Sequence, residues 1–265
     1  MAGSRCFVQL SHPGREHQPD CGLEKTWNTQ KHGHARKFMQ LHGQWIDENR
    51  NRQSGDLYAW GEWEPESELV RALDPPDDDW LHPRWLWRPY YVPKTSYEGL
   101  HNTDPFIFGP RFLYSNCFQP SKPGLRQLDE GSVIAFGSSK KVNGWTSCTF
   151  LDVTIRPLTG DSPQPKACAS ARDRLRLYRG ATPDDPVGGM FSFFPASPEC
   201  GDSGFKRPAI DLPVEYINPR AFRAPRGFRR DRTPDELRGV WGLLVEQVHE
   251  AGLVLGTFAE LPERR

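Results

Sequence analysis

Twenty-five prolines are scattered through this chain of 265 residues, and they restrict its possible folds more than any other feature. Proline lacks a backbone N–H and clashes with the preceding helical turn, so it ends helices and is kept out of central strands. Short strands, few helices and long connections are what such a sequence permits. The expected class is α+β, a twisted mixed or antiparallel β-sheet with a few helices and long loops. The length suits one large domain or two closely packed subdomains. We read residues 1–265 as one domain with a loop excursion at 156–210.

The clearest helix signal lies near the end. Thr233 and Glu236 fit a capping box with Pro234 at the first helical position, and Leu237, Val240, Trp241, Leu244 and Val248 recur at helical spacing until Gly252. Residues 253–258 then read as a returning strand and 262–265 as a frayed end. Residues 6–10 read as a strand entering a turn-rich loop at 11–17, and residues 131–137 and 148–155 as the two strands of a hairpin. Residues 57–64 form an extended segment halted by Pro65. Alternation puts Tyr58, Trp60, Glu62 and Glu64 on one face, with Leu57, Ala59, Gly61 and Trp63 on the other.

Charge balances overall, 34 basic against 34 acidic residues, but not locally. Nine acids between Asp56 and Asp79 face only Arg71, a stretch that repels a phosphate backbone. Between 220 and 232 come Arg220, Arg223, Arg226, Arg229, Arg230 and Arg232, interleaved with Phe222 and Phe228. Arginine forks match phosphate oxygens and rings wedge against bases, so this segment is the candidate DNA contact. No run approaches the roughly 18 apolar residues of a membrane span, and no basic region followed by an apolar stretch opens the chain. The expected setting is cytoplasmic, with no membrane partner. The six cysteines lack CxxC spacing and read as reduced thiols.

Several chemistries lack their signatures. The histidines cluster early (His12, His17, His32, His34, His42), yet HExxH, paired CxxC and the zinc-deaminase spacing are absent. GxSxG, GxxxxGK[ST] and GxGxxG are absent too. No metal or cofactor is expected. Carboxylate chemistry is left, and two segments carry it: Trp60-Gly-Glu62-Trp63-Glu64-Pro-Glu66-Ser67 and His101-Asn102-Thr103-Asp104-Pro105-Phe106-Ile-Phe108-Gly109. Carboxylates, an amide and rings in such company suit a pocket that grips a flat polar ring and attacks a bond beside it. Asp104, Glu62 and Asn102 are the catalytic candidates; Trp60, Trp63, Glu64, Phe106, His12 and His17 are the substrate-binding ones.

Asp104-Pro105-Phe106 resembles the water-activating Asp-Pro-Tyr motif of uracil-DNA glycosylases, and His12-Pro13-Gly14 their His-Pro-Ser loop, although the two pieces come in the opposite order here. From its start through WGEWEPES and NTDPFIFG to the GSVIAFGS run, the chain also resembles bacterial anti-phage DNA glycosylases that remove glucosylated 5-hydroxymethylcytosine. That resemblance implies extrusion of a bulky modified base, hydrolysis of its N-glycosidic bond and an abasic site that blocks phage replication. Its implied partner is phage DNA. Two other classes fit the residues: a non-catalytic, PUA-like module that holds a modified base and recruits a nuclease, and an ADP-ribosyltransferase.

If the arginine segment holds DNA, each phosphate neutralised adds about 0.9 to the slope of log affinity against log salt. Replacing Arg226, Arg229 and Arg230 together by Ala is expected to flatten that slope by up to about three units, on modified and unmodified duplex alike. An unchanged slope moves the DNA track to Arg36, Lys37, Lys140 and Lys141.

Overall fold

Residues 47–51, Asp-Glu-Asn-Arg-Asn, are too polar to continue a buried strand, and their own hydrogen bonds turn the chain. Asp47 Oδ1 accepts the Asn51 N–H at 2.8 Å, Asn51 O accepts the Asp47 N–H at 3.0 Å, and Arg50 takes a left-handed φ of 64°. The flanking runs become β2 (Lys37–Ile46) and β3 (Arg52–Gly61), paired antiparallel from Lys37 opposite Gly61 to Ile46 opposite Arg52. The structure, a computed structural model, describes residues 5–12, 16–19, 35–76, 81–93, 104–115, 119, 121–138, 140–142, 145–147, 151–157, 176–210 and 232–265.

Around this ladder the larger sheet grows on both edges. β5 (Trp85–Tyr91) runs parallel to the start of β2 and carries β4 (Ser67–Ala72) antiparallel on its other edge. β12 (Phe194–Ser197) pairs with β3 and with β13 (Val254–Ala259), and β13 pairs in turn with the far half of β2. β2, β3, β12 and β13 therefore close a hydrogen-bonded ring. At the closing seam the register slips between Gly256 and Phe258, and a Cβ on Gly43 would stand 2.1 Å from the Phe258 carbonyl oxygen. Only glycine permits that approach.

A second sheet has the order β1 (Phe7–His12), β7 (Ser132–Ser138), β10 (Leu151–Pro157), β11 (Tyr178–Gly180), β6 (Leu113–Tyr114). β1 is parallel to β7 and the other pairs are antiparallel. A small hairpin, β8 (Lys140–Val142) with β9 (Trp145–Ser147), stands between β7 and β10. The main core fills the space between the sheets with alternate residues: Met39, Leu41, Leu57 and Ala59 from one, Val8, Leu10, Ile134 and Phe136 from the other. Val133 and Ala135 of β7 face the opposite way, toward Leu237, Val240, Leu244 and Val248 of α1 (Pro234–Glu250). Burial on both faces explains the unbroken apolar run of β7.

The α+β class, the strand at 253–258 and the capping box at Thr233 all appear, and the strand at 131–137 pairs antiparallel with Leu151–Ile155 of the expected 148–155 run, whose first three residues lie outside the described ones. Three boundaries differ. Ser11 and His12 belong to β1, not to a loop, because β7 extends far enough to pair with them. β3 begins earlier than expected and stops at Gly61, so Glu62, Trp63 and Glu64 follow the strand without belonging to it. The C-terminus is not frayed. β14 (Glu263–Arg264) lies parallel on β5, with Arg265 bonded to Glu68 at 2.8 Å and its guanidinium 4.5 Å from the Tyr90 ring centre. Cys6 and Cys200 are free thiols, and Cys21, Cys117, Cys148 and Cys168 lie outside the described residues. Among the described residues no helix is long and apolar enough to cross a membrane.

Ring closure makes Gly43 the least replaceable position of β2. Gly43→Ala is expected to lower the unfolding free energy by about 3 kcal/mol or more through backbone overlap, against about 1 kcal/mol for removing the helix cap with Thr233→Ala. Urea denaturation of the two variants measures both; similar small losses would show that the seam opens freely.

Candidate functional site

Charged side chains avoid protein interiors unless partners or function hold them there. Here Arg36, Lys37, Glu62, Glu64, Asp104 and Arg207 are buried, together with His17. They come from few places. Arg36 directly precedes β2 and Lys37 opens it, Glu62 and Glu64 follow β3, and the cross-strand pairing of Lys37 with Gly61 keeps the two groups side by side. Residues 16–17 join through a bridge in which the His17 N–H donates to Arg36 O at 2.9 Å. Arg207 arrives from the irregular segment after β12, its N–H donating to Leu81 O at 2.9 Å.

A cavity of about 30 Å³ lies within this group, walled by Arg36, Trp60, Glu62, Pro105, Phe205 and Pro208 above core residues such as Ile107 and Phe136. That volume holds one or two waters, so a nucleobase enters only if the walls part. Arg36 Nη1 stands 3.9 Å from Glu62 Oε2, with both side chains buried. Trp60 is held from several sides. Its Nε1–H donates to Phe205 O at 3.3 Å, Phe38 leans on it at 5.6 Å between ring centres, and the Arg207 guanidinium lies 3.7 Å from its ring centre.

Trp60 and Glu62 thus line one cavity, with Gly61 between them, and Pro105 brings the second singled-out segment to the same wall. Asp104 is buried, its Oδ1 accepts the Ser115 N–H at 3.0 Å, and its peptide bond to Pro105 is cis. Phe106 exchanges backbone hydrogen bonds with Leu113 and sets its ring against Phe108. Trp63 packs into the main core, edge-on to Phe108 at 5.0 Å, with its Nε1–H on Glu66 O. Glu64 and His17 are buried outside the cavity wall, His17 edge-on to Trp87 at 5.3 Å. His12 has its backbone in β1. Asn102, Arg220, Arg223, Arg226, Arg229 and Arg230 lie outside the described residues.

Arg36 and Lys37 correct one expectation. Both are buried, and the Lys37 Nζ donates to Pro65 O at 2.9 Å and Ser67 Oγ at 2.8 Å, so neither offers a surface track for DNA. Sequence reasoning also passed over Glu16, Phe205 and Arg207. No spacing marks them, because their partners come from distant parts of the chain. Among the described residues no group of three or more His, Cys, Asp or Glu side chains is placed to hold a metal ion.

Comparison with known protein families, curated proteins and solved structures finds no match.

Two groups at this end of the sheet have displaced proton affinities. Burial pushes the Glu16 carboxyl up to about 7, against the backbone N–H groups of Arg84 and Trp85, which it accepts at 3.0–3.2 Å, and the charges of Arg207 and Arg84. Burial, aided by Arg36 and opposed by Glu16, pulls the Arg207 guanidinium down to about 9, so it is charged at neutral pH. For Glu16 the folded value lies above the unfolded one, so its protonated form is the one folding favours. Its stabilising contribution is complete below the ordinary carboxyl range and is lost as pH rises to about 7 and beyond. The loss is at most about 3 kcal/mol. Denaturation of wild type and Glu16→Gln across mildly acidic to mildly alkaline pH is expected to show the wild type losing stability relative to the variant. Parallel curves would remove Glu16 from the pH response.

Proposed function

We infer that this protein hydrolyses the N-glycosidic bond of a modified base extruded from DNA. The resemblance supplies the substrate, glucosylated 5-hydroxymethylcytosine in phage DNA, and antiviral defence as the setting. The observation that carries the reading is the meeting of Glu62 and Pro105 in one cavity beside Trp60. Two segments, 60–67 and 101–109, each suited to base handling, supply walls of the same space.

The chemistry follows from what that wall offers. As the C1′–N bond breaks, the sugar becomes cation-like, and a fixed carboxylate stabilises it while taking a proton from the attacking water. Oxygen of water bonds to C1′, and the base leaves with the electron pair of the old bond. Glu62 is our candidate for that carboxylate, since it faces the cavity with Arg36 at 3.9 Å. Asp104, which accepts the Ser115 N–H, holds the loop that brings Pro105 to the wall. Trp60 offers ring surface to the extruded base.

The closed ring of β2, β3, β12 and β13 behind the cavity favours a second reading, a binding module without chemistry. Alkali separates the two, since it breaks DNA strands at abasic sites. Glu62→Gln is expected to lower the yield of alkali-labile sites in glucosylated duplex by at least about 100-fold with DNA affinity largely kept. Asp104→Asn should cost less. Wild-type protein that binds the duplex yet leaves no alkali-labile sites would assign the cavity to binding alone.

A further inference from the structure

Arg207 has no part in the bond cleavage described above, yet it is the largest fully buried side chain among the described residues, at 1% exposure. A methionine or leucine would fill the same space without the desolvation of a guanidinium. What arginine adds is a flat positive charge on a ring face. Its guanidinium carbon is 3.7 Å from the centre of the Trp60 ring, while Trp60, and not Arg207, walls the cavity. The negative face of an indole attracts a cation, but the same ring then has less to offer a second one. A cationic ring stacked on the cavity side would also lie within the roughly 8–10 Å over which charges act even in salt water, and in a drier medium.

Among the described residues, the two charges at the cavity wall face each other. Arg36 and Glu62 oppose each other across 3.9 Å within the wall itself. Glu16 acts on Arg207, but burial pushes its carboxyl up to about 7, so at mildly acidic pH it is mostly neutral. We propose that Arg207 is a specificity-determining residue that makes the Trp60 surface accept an uncharged flat ring and reject a cationic one. This rests on the ring-binding reading of the cavity and narrows its ligands: bases that carry a fixed positive charge, such as ring-alkylated purines, are excluded in favour of neutral bases whose modification leaves the ring uncharged.

The test uses two duplexes alike in shape. One carries 7-methylguanine, cationic at mildly acidic pH, and the other 7-deaza-7-methylguanine, its uncharged isostere, both on a 2′-fluoro sugar that resists cleavage. Wild type is expected to bind the uncharged duplex at least about tenfold more tightly, a difference of one decade in Kd. Arg207→Met should bring the two affinities within about threefold, and Arg207→Lys, which keeps a charge, should retain much of the preference. Equal wild-type affinities, no binding of either duplex above an unmodified control, or an undiminished preference in Arg207→Met would each overturn the proposal. Should Arg207→Met not fold, Arg207→Gln takes its place, and the wild-type comparison decides without either. The glycosylase reading fails separately: a protein that shows the charge preference but leaves no alkali-labile sites in glucosylated DNA selects neutral rings without cleaving them.

Discussion

β2 is hydrogen-bonded along both edges, and the rest of the molecule is arranged by that fact. One edge takes β3 over its full length, and the other takes β5 near its start and β13 near its end. The two partners on the second edge require β13 to approach over Gly43, and the ring through β12 closes only because that residue has no side chain. With the ring closed, the inward face of β2 and β3 is committed to the main core, and the strand ends at Arg36 and Gly61 project their polar neighbours to one end of it.

That end is where the burial of charge concentrates. Glu62 and Arg36 sit beside each other, Glu16 is clasped by the backbone that leads into β5, and Arg207 lies on the ring of Trp60. Any one of these groups buried alone would be strongly destabilising; together, opposite charges and hydrogen bonds reduce the cost. The raised proton affinity of Glu16 and the lowered one of Arg207 show that the reduction is incomplete. Such tension is common where a site is kept ready for a ligand, and we propose Glu62 rather than Asp104 for carboxylate chemistry because Glu62 lines the cavity beside Arg36.

Parts of this arrangement are legible in the sequence because they depend on neighbours in the chain. The cap at Thr233 needs only Glu236 three residues on, and the α1 stripe needs only helical spacing. Alternation put Tyr58 and Trp60 on one face and Leu57, Ala59 and Gly61 on the other, and burial in β3 follows that division, the second face being the buried one. Trp63 shows the limit of that reasoning. Its ring is in the main core with Leu57 and Ala59, whose face alternation gave it, and not in the cavity where its aromatic character suggested a substrate-binding role.

The sequence by itself determined the class, the helix that follows Thr233, the strand parity around Trp60 and the pairing of two carboxylate-bearing segments with rings. These follow from proline's missing donor, from side-chain periodicity and from local hydrogen bonds, all of which act over a few residues. Tertiary structure alone decided that Arg36 and Arg207 come to Trp60 with Glu16 acting on Arg207, that Lys37 is bonded to Pro65 and Ser67, and that the last residues form a strand on β5. Those contacts join positions up to about two hundred residues apart, and a ring of strands brings them together only when every member is in register, which no local pattern encodes.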